Sequence, residues 1–208
     1  MKSIRRHPMS IDSQISEVIH ARGCGSVFVP ADFLDLGSRE AIDVVLHRLV
    51  RKGSIRRLAR GVYDLPEKHP VLGLLQPSPE KVAAAVAGRD CTRLQPTGAY
   101  AANLLGLSEQ IPAKVVFLTD GPSRTLKIGP TTIQLRQTTA KKMAVAGRLS
   151  GLLIQALSEL GKESVTQERL EHLKRTIPVA KRQELLKDLR FAPEWMHSIF
   201  RELAEEGM

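Results

Sequence analysis

The chain has 208 residues, 42% hydrophobic and 25% charged, enough to bury the core of one large domain or of two to three small ones. Aromatic residues make up only 4%, so the core must come mostly from Leu, Val, Ile and Ala. No apolar run approaches the roughly 18 residues of a membrane span, no signal-peptide core follows the basic start, and the net charge of +9 points to a polyanionic partner in the cytoplasm.

The first block starts with a helix. Ile11, Ile15, Val18 and Ile19 form one apolar stripe of helical period, ended by Gly23 and Gly25. Val27 to Val29 is a short extended run, and Pro30 opens a brief helix over residues 31–36. Ser38 is placed to cap a third helix reaching about Lys52 and closed by Gly53. Its buried stripe is Ile42, Val45, Leu46 and Leu49, which puts Glu40, His47, Arg48 and Arg51 on the opposite side. Two strand-like runs follow, 54–58 and 62–65, joined through Ala59, Arg60 and Gly61 as a hairpin. Residues 10 to 65 thus read as a winged helix-turn-helix.

A proline-rich linker is expected over residues 66–79. A second block then opens with a helix over 80–87 and another from about Thr97. Residues 114–119 read as a buried strand, and 126–128 and 132–136 as further strands around Gly129 and Pro130. From there helices are expected over about 142–160, 167–175, 179–189 and 193–205. The fold class is therefore α+β: an N-terminal winged helix-turn-helix over residues 1–70, then a domain over 71–208 with a small α+β core to about 140 and a helical C-terminal part.

Charge follows this division. Residues 1–70 hold 12 Lys/Arg against 8 Asp/Glu, residues 71–158 hold 10 against 4, and residues 159–208 hold 9 against 10. A polyanion would meet the first two segments and not the third.

In a helix-turn-helix the third element enters the major groove and its early residues reach base edges. Ser38 and Arg39 begin that element here; Arg39 can address guanine, with Asp43 or His47 one or two turns later. No acid occurs between Asp43 and Asp64, whereas Arg48, Arg51, Lys52, Arg56, Arg57 and Arg60 are basic. Such a run suits phosphate contacts, which release counterions and make binding salt-dependent. Residues 121–158 are also acid-free and carry Arg124, Lys127, Arg136, Lys141, Lys142 and Arg148, a candidate second basic face.

Catalysis is not expected. A metal-dependent nuclease gathers carboxylates, and residues 71–158 offer only Glu80, Asp90, Glu109 and Asp120. There is no P-loop, GxSxG, HExxH or nucleotidyltransferase signature. Cys24 and Cys91 are isolated and read as buried free thiols; no metal and no cofactor are expected. The Leu-rich C-terminal stripes and Trp195 read as core packing, with an interaction face as the alternative.

The stretch RLVRKGSIRRLARGVY at residues 48–63 resembles the winged helix-turn-helix of AbiEi-type antitoxins of type IV toxin–antitoxin systems. TGAYAAN at 97–103 and LTDGPSR at 118–124 resemble the domain that follows it in one branch of that family. The resemblance implies a DNA-binding repressor of its own operon that counters a nucleotidyltransferase-like toxin, without requiring a direct complex. Its site would be duplex DNA at its own promoter, with two copies on an inverted repeat as a common geometry. The other reading of the same residues is a non-catalytic module whose winged fold docks a protein partner.

Overall fold

The computed structural model describes residues 10–88 and 93–205. The basic start of the chain, Asp90 and Cys91 lie outside them. The chain divides into two units, Met1–Cys91 and Thr92–Met208, and both α-helices and β-strands are present.

In the first unit the Ser10 hydroxyl accepts from the Ser13 N–H and starts α1 (Ile11–Arg22), satisfying one of the orphan donors of a helix start. Strand β1 (Val27–Phe28) leads into a 3-10 turn, Pro30–Phe33, with Pro30 where no N–H is needed. Helix α2 (Arg39–Arg51) is capped by Ser38, whose Oγ accepts from the Ala41 N–H at 3.3 Å. Strands β2 (Arg56–Ala59) and β3 (Val62–Asp64) are antiparallel, and β3 is central in the order β1-β3-β2. Ala59 pairs with Val62, so Arg60 and Gly61 form the turn, Gly61 at a φ of +72° that an L side chain resists.

One core holds these pieces together. Ile15 and Ile19 of α1 and Ile42, Val45 and Leu46 of α2 close on Phe28, Phe33, Ile55 and Tyr63. Phe28 sits edge-on to Phe33 at 5.7 Å between ring centroids and stacks with Tyr63 at 6.4 Å.

The proline-rich stretch is not a bare linker. It contains a small hairpin, β4 (Lys68–His69) with β5 (Gly73–Leu74), and then α3 (Pro79–Ala87). The helix expected to open the second block instead packs on β1 and β3, burying Val82, Ala83 and Val86. The expected boundary near residue 70 therefore moves past α3, because that apolar face needs the first core. Cys24, expected to be buried, is exposed.

The second unit begins with β6 (Leu94–Thr97) and α4 (Ala99–Leu104), then β7 (Lys114–Thr119), β8 (Arg124–Ile128) and β9 (Thr131–Gln137). Their order is β6-β7-β9-β8, with β7 and β9 parallel and the other neighbours antiparallel. Helices α5 (Leu149–Leu160), α6 (Gln167–Thr176), α7 (Val179–Lys187) and α8 (His197–Ala204) follow. Leu153 and Leu157 of α5 pack with Ala101, Leu173, Leu185, Phe200 and Leu203, and Trp195 lies against this cluster.

Helix α5 starts later than the expected 142. Residues 140–147 are turns, and Gly147 takes a φ of +78°. No helix among the described residues is long and apolar enough to cross a membrane.

Candidate nucleic-acid interface

Helix α2 presents a two-sided face. Its apolar side is sealed in the core, and Arg39, Glu40, Asp43, Val44, His47, Arg48 and Arg51 are exposed. Two of the expected base-reading residues are already partners: Arg39 Nε lies 3.2 and 3.1 Å from the two Asp43 carboxylate oxygens, an i,i+4 pair. Glu40 occupies the first turn. Its own backbone N–H, then the Ser38 hydroxyl and the Arg39 charge, hold its carboxyl below the ordinary value. The start of α2 is thus served by its own carboxylate, leaving His47, Arg51 and the C-capping Lys52 as its exposed basic end.

Arg48 is drawn sideways. Its guanidinium donates to Asp12 of α1 at 2.7 Å, tying the two helices together. Val44 is 55% exposed on the solvent side of α2. It is not among the residues expected at the interface, although its position falls off the Ile42, Val45, Leu46, Leu49 stripe. An exposed valine on such a face offers a methyl surface of the kind that thymine methyls meet.

The hairpin separates its arginines. Arg57 and Arg60 are exposed, and Arg57 makes a local bond to the Ala59 carbonyl. Arg56, contrary to its expected place among the phosphate contacts, is turned inward. Its Nε and Nη2 donate to the two oxygens of Asp64 at 3.0 and 2.6 Å, and Nη2 also donates to the Leu75 carbonyl at 2.8 Å. Asp64 is 1% exposed and Arg56 only 24%, and the hydrogen bond with Asp64 raises the Arg56 guanidinium further above its ordinary value. Arg56 neutralises a buried carboxylate, and so from Val44 to Leu65 no exposed acid remains.

Residues 14–185 match a family of unknown function, DUF6088. The chain belongs to that family. No curated protein matches it.

In the second unit of this DUF6088 chain the candidate basic face splits in three. Arg124 and Lys127 are exposed on the edge strand β8. Arg148 is committed to the fold: it donates to Asp188 at 2.9 Å, and the buried Asp188 also accepts from the Ser150 hydroxyl. Arg136 on β9, with Lys141 and Lys142 in the following turns, lines a cavity instead of a flat surface. The turn at Asp120 is likewise internal in purpose. Arg93 donates to its carboxylate from both backbone N–H (2.8 Å) and Nε (3.0 Å), and Gln137 N–H donates to Ser123 Oγ at 3.0 Å.

Proposed function

We propose that residues 10 to 65 form a winged helix-turn-helix, with α2 as recognition helix and the β2–β3 hairpin as wing, and that this DUF6088 protein binds duplex DNA through it. The order helix, strand, short helix, helix, hairpin supports this reading, as does a sheet in which the second hairpin strand lies centrally. The observation that carries it is the charge of the exposed surface. His47, Arg51, Lys52, Arg57 and Arg60 are all exposed, while the acid that ends the run, Asp64, is buried and paired. Phosphates meet basic side chains there, and the exposed carboxylates of α2, Glu40 and Asp43, lie before that run.

In this reading the protein represses its own operon and is the antitoxin to a nucleotidyltransferase-like toxin encoded beside it, a role that rests on the AbiEi resemblance of residues 48–63 and 97–124. It acts as a binding protein and not as an enzyme.

A gel shift with the DNA upstream of the protein's own gene tests this. Specific retention that survives competitor DNA is expected, and Arg51→Glu, Arg57→Glu and Arg60→Glu together abolish it. Replacing the same three by Ala flattens the salt dependence, by about 0.9 in log–log slope for each phosphate that is no longer neutralised. Retention untouched by the three reversals sinks the assignment. Co-expression with the neighbouring gene tests the antitoxin role: growth arrest relieved by this chain supports it, and arrest that persists refutes it.

A further inference from the structure

The second unit contains a cavity of about 750 Å³, within the size range of small-molecule and cofactor sites. Its floor is a row across three strands. Gln95 of β6 pairs with Leu118 of β7, and Leu118 with Arg136 of β9, and directly paired residues share one face of a sheet. Opposite stands one side of α5, where Gly151, Ile154, Gln155 and Ser158 recur at three- and four-residue spacing. The turns after β9 bring Lys141 and Lys142 to the rim, and Phe191 adds an aromatic wall.

Two independent features ask for a ligand here. The first is charge. Arg136, Lys141 and Lys142 form no ion pair among the described residues, and no Asp or Glu is among the described residues of the lining. Cations gathered in a concave site without a carboxylate raise the local concentration of anions.

The second is an orphaned amide. Gln95 is 1% exposed, and its Nε2 donates to the Pro96 carbonyl at 3.0 Å, which fixes which end of the amide is oxygen. The buried Oε1 has no partner among the described residues. A buried acceptor left unmet is unfavourable, and a bound N–H or O–H would remove that cost. Gly151 of α5 lies close against it: a Cβ there would be 2.5 Å from that oxygen and 2.3 Å from the Val145 carbonyl oxygen, so only glycine fits at this point of the helix. Gln155 complements it, because its oxygen already accepts from the Thr97 hydroxyl and its amide N–H groups are what remain.

We propose that this cavity binds a nucleoside di- or triphosphate. The phosphates lie with Arg136, Lys141 and Lys142, the base lies against Phe191, and an N–H or hydroxyl of the nucleoside donates to Gln95 Oε1. A bare phosphate satisfies the cations but not the buried acceptor. The volume, the aromatic wall and the donor–acceptor pair of Gln155 and Gln95 select a ligand with a polar, flat group attached.

The test is isothermal titration and thermal melting of the full chain with ATP, GTP, CTP, UTP and, separately, pyrophosphate. At least one nucleotide binds, and more tightly than pyrophosphate. Arg136→Ala with Lys141→Ala and Lys142→Ala, all exposed positions, weakens it by about tenfold or more, as removal of charge-assisted bonds should. Gln95→Leu removes the orphan, melts no lower than the parent, weakens the nucleotide and leaves pyrophosphate unchanged. The proposal falls if no nucleotide produces heat or a melting shift, or if pyrophosphate binds as well as every nucleotide. It falls equally if the triple variant loses duplex DNA retention while no nucleotide binds, which would assign the three cations to the DNA surface.

Discussion

Arg56 and Asp64 face each other across β2 and β3, and the guanidinium holds both carboxylate oxygens at 3.0 and 2.6 Å. Removing one member of such a pair leaves the other buried and uncompensated. Arg56→Ala is therefore expected to destabilise the first unit by about 3 kcal/mol, seen as faster hydrogen exchange at the β3 amides. Arg57→Ala and Arg60→Ala should each stay within about 0.5 kcal/mol of the parent. Equal effects at the three positions would return Arg56 to the surface.

Asp43 holds Arg39 on the exposed face of α2. An exposed pair of this kind contributes at most about 0.5 kcal/mol, so Asp43→Ala should leave the melting temperature almost unchanged. It also removes a negative charge from the proposed DNA face and releases a cation. Duplex affinity should rise and discrimination between sequences fall, both read from competition gel shifts. A loss of affinity would mean that Asp43 itself reads a base.

Asp188 is buried beneath Arg148 and the Ser150 hydroxyl. Ser150→Ala should cost about 1.5–3 kcal/mol, the worth of a hydrogen bond to a charged group, measured by urea unfolding of the full chain. Arg148→Ala should destabilise the same unit without changing duplex affinity. A variant of normal stability and weakened DNA binding would restore Arg148 to a basic face.

The Asp120 carboxyl is held below its ordinary 3.8 by the Arg93 side chain first, then by backbone N–H groups and the Arg93 charge. Because its folded value lies below its unfolded one, its contribution to stability is complete at neutral pH. It is lost only as the pH falls through the folded value. A carbon-detected NMR titration should place the Asp120 inflection below 3.8, and Arg93→Ala should move it up toward the ordinary value. An unchanged inflection in that variant would remove Arg93 as the cause.

Local signals explain which parts of this fold are legible in the chain. Ser10, Ser38, Pro30 and Gly23 each sit where a helix start or stop needs that residue type, and α1 and α2 lie within a residue or two of the expected limits. Strand β6 is hidden because Pro96 argues against a strand, yet β6 lies at the sheet edge, where a missing N–H is tolerated. The fate of Arg56 is equally hidden. Nothing in the run of basic residues separates Arg56 from Arg57, and only the cross-strand register with Asp64 does so. Arg136 and Gln95 stand 41 positions apart and meet through β7, a relationship that no local pattern records.

The strand order has a consequence for how the second unit is made. The chain passes from β7 to β8 and only then returns to insert β9 between them. Until residues 131–137 have been synthesised and threaded in, β7 keeps an unpaired edge bearing Val115, Phe117 and Leu118, a surface on which nascent chains aggregate. Arg136 arrives with that last strand. A chain truncated before β9 is thus expected to be insoluble rather than merely inactive, and the floor of the cavity is completed only once the sheet has closed.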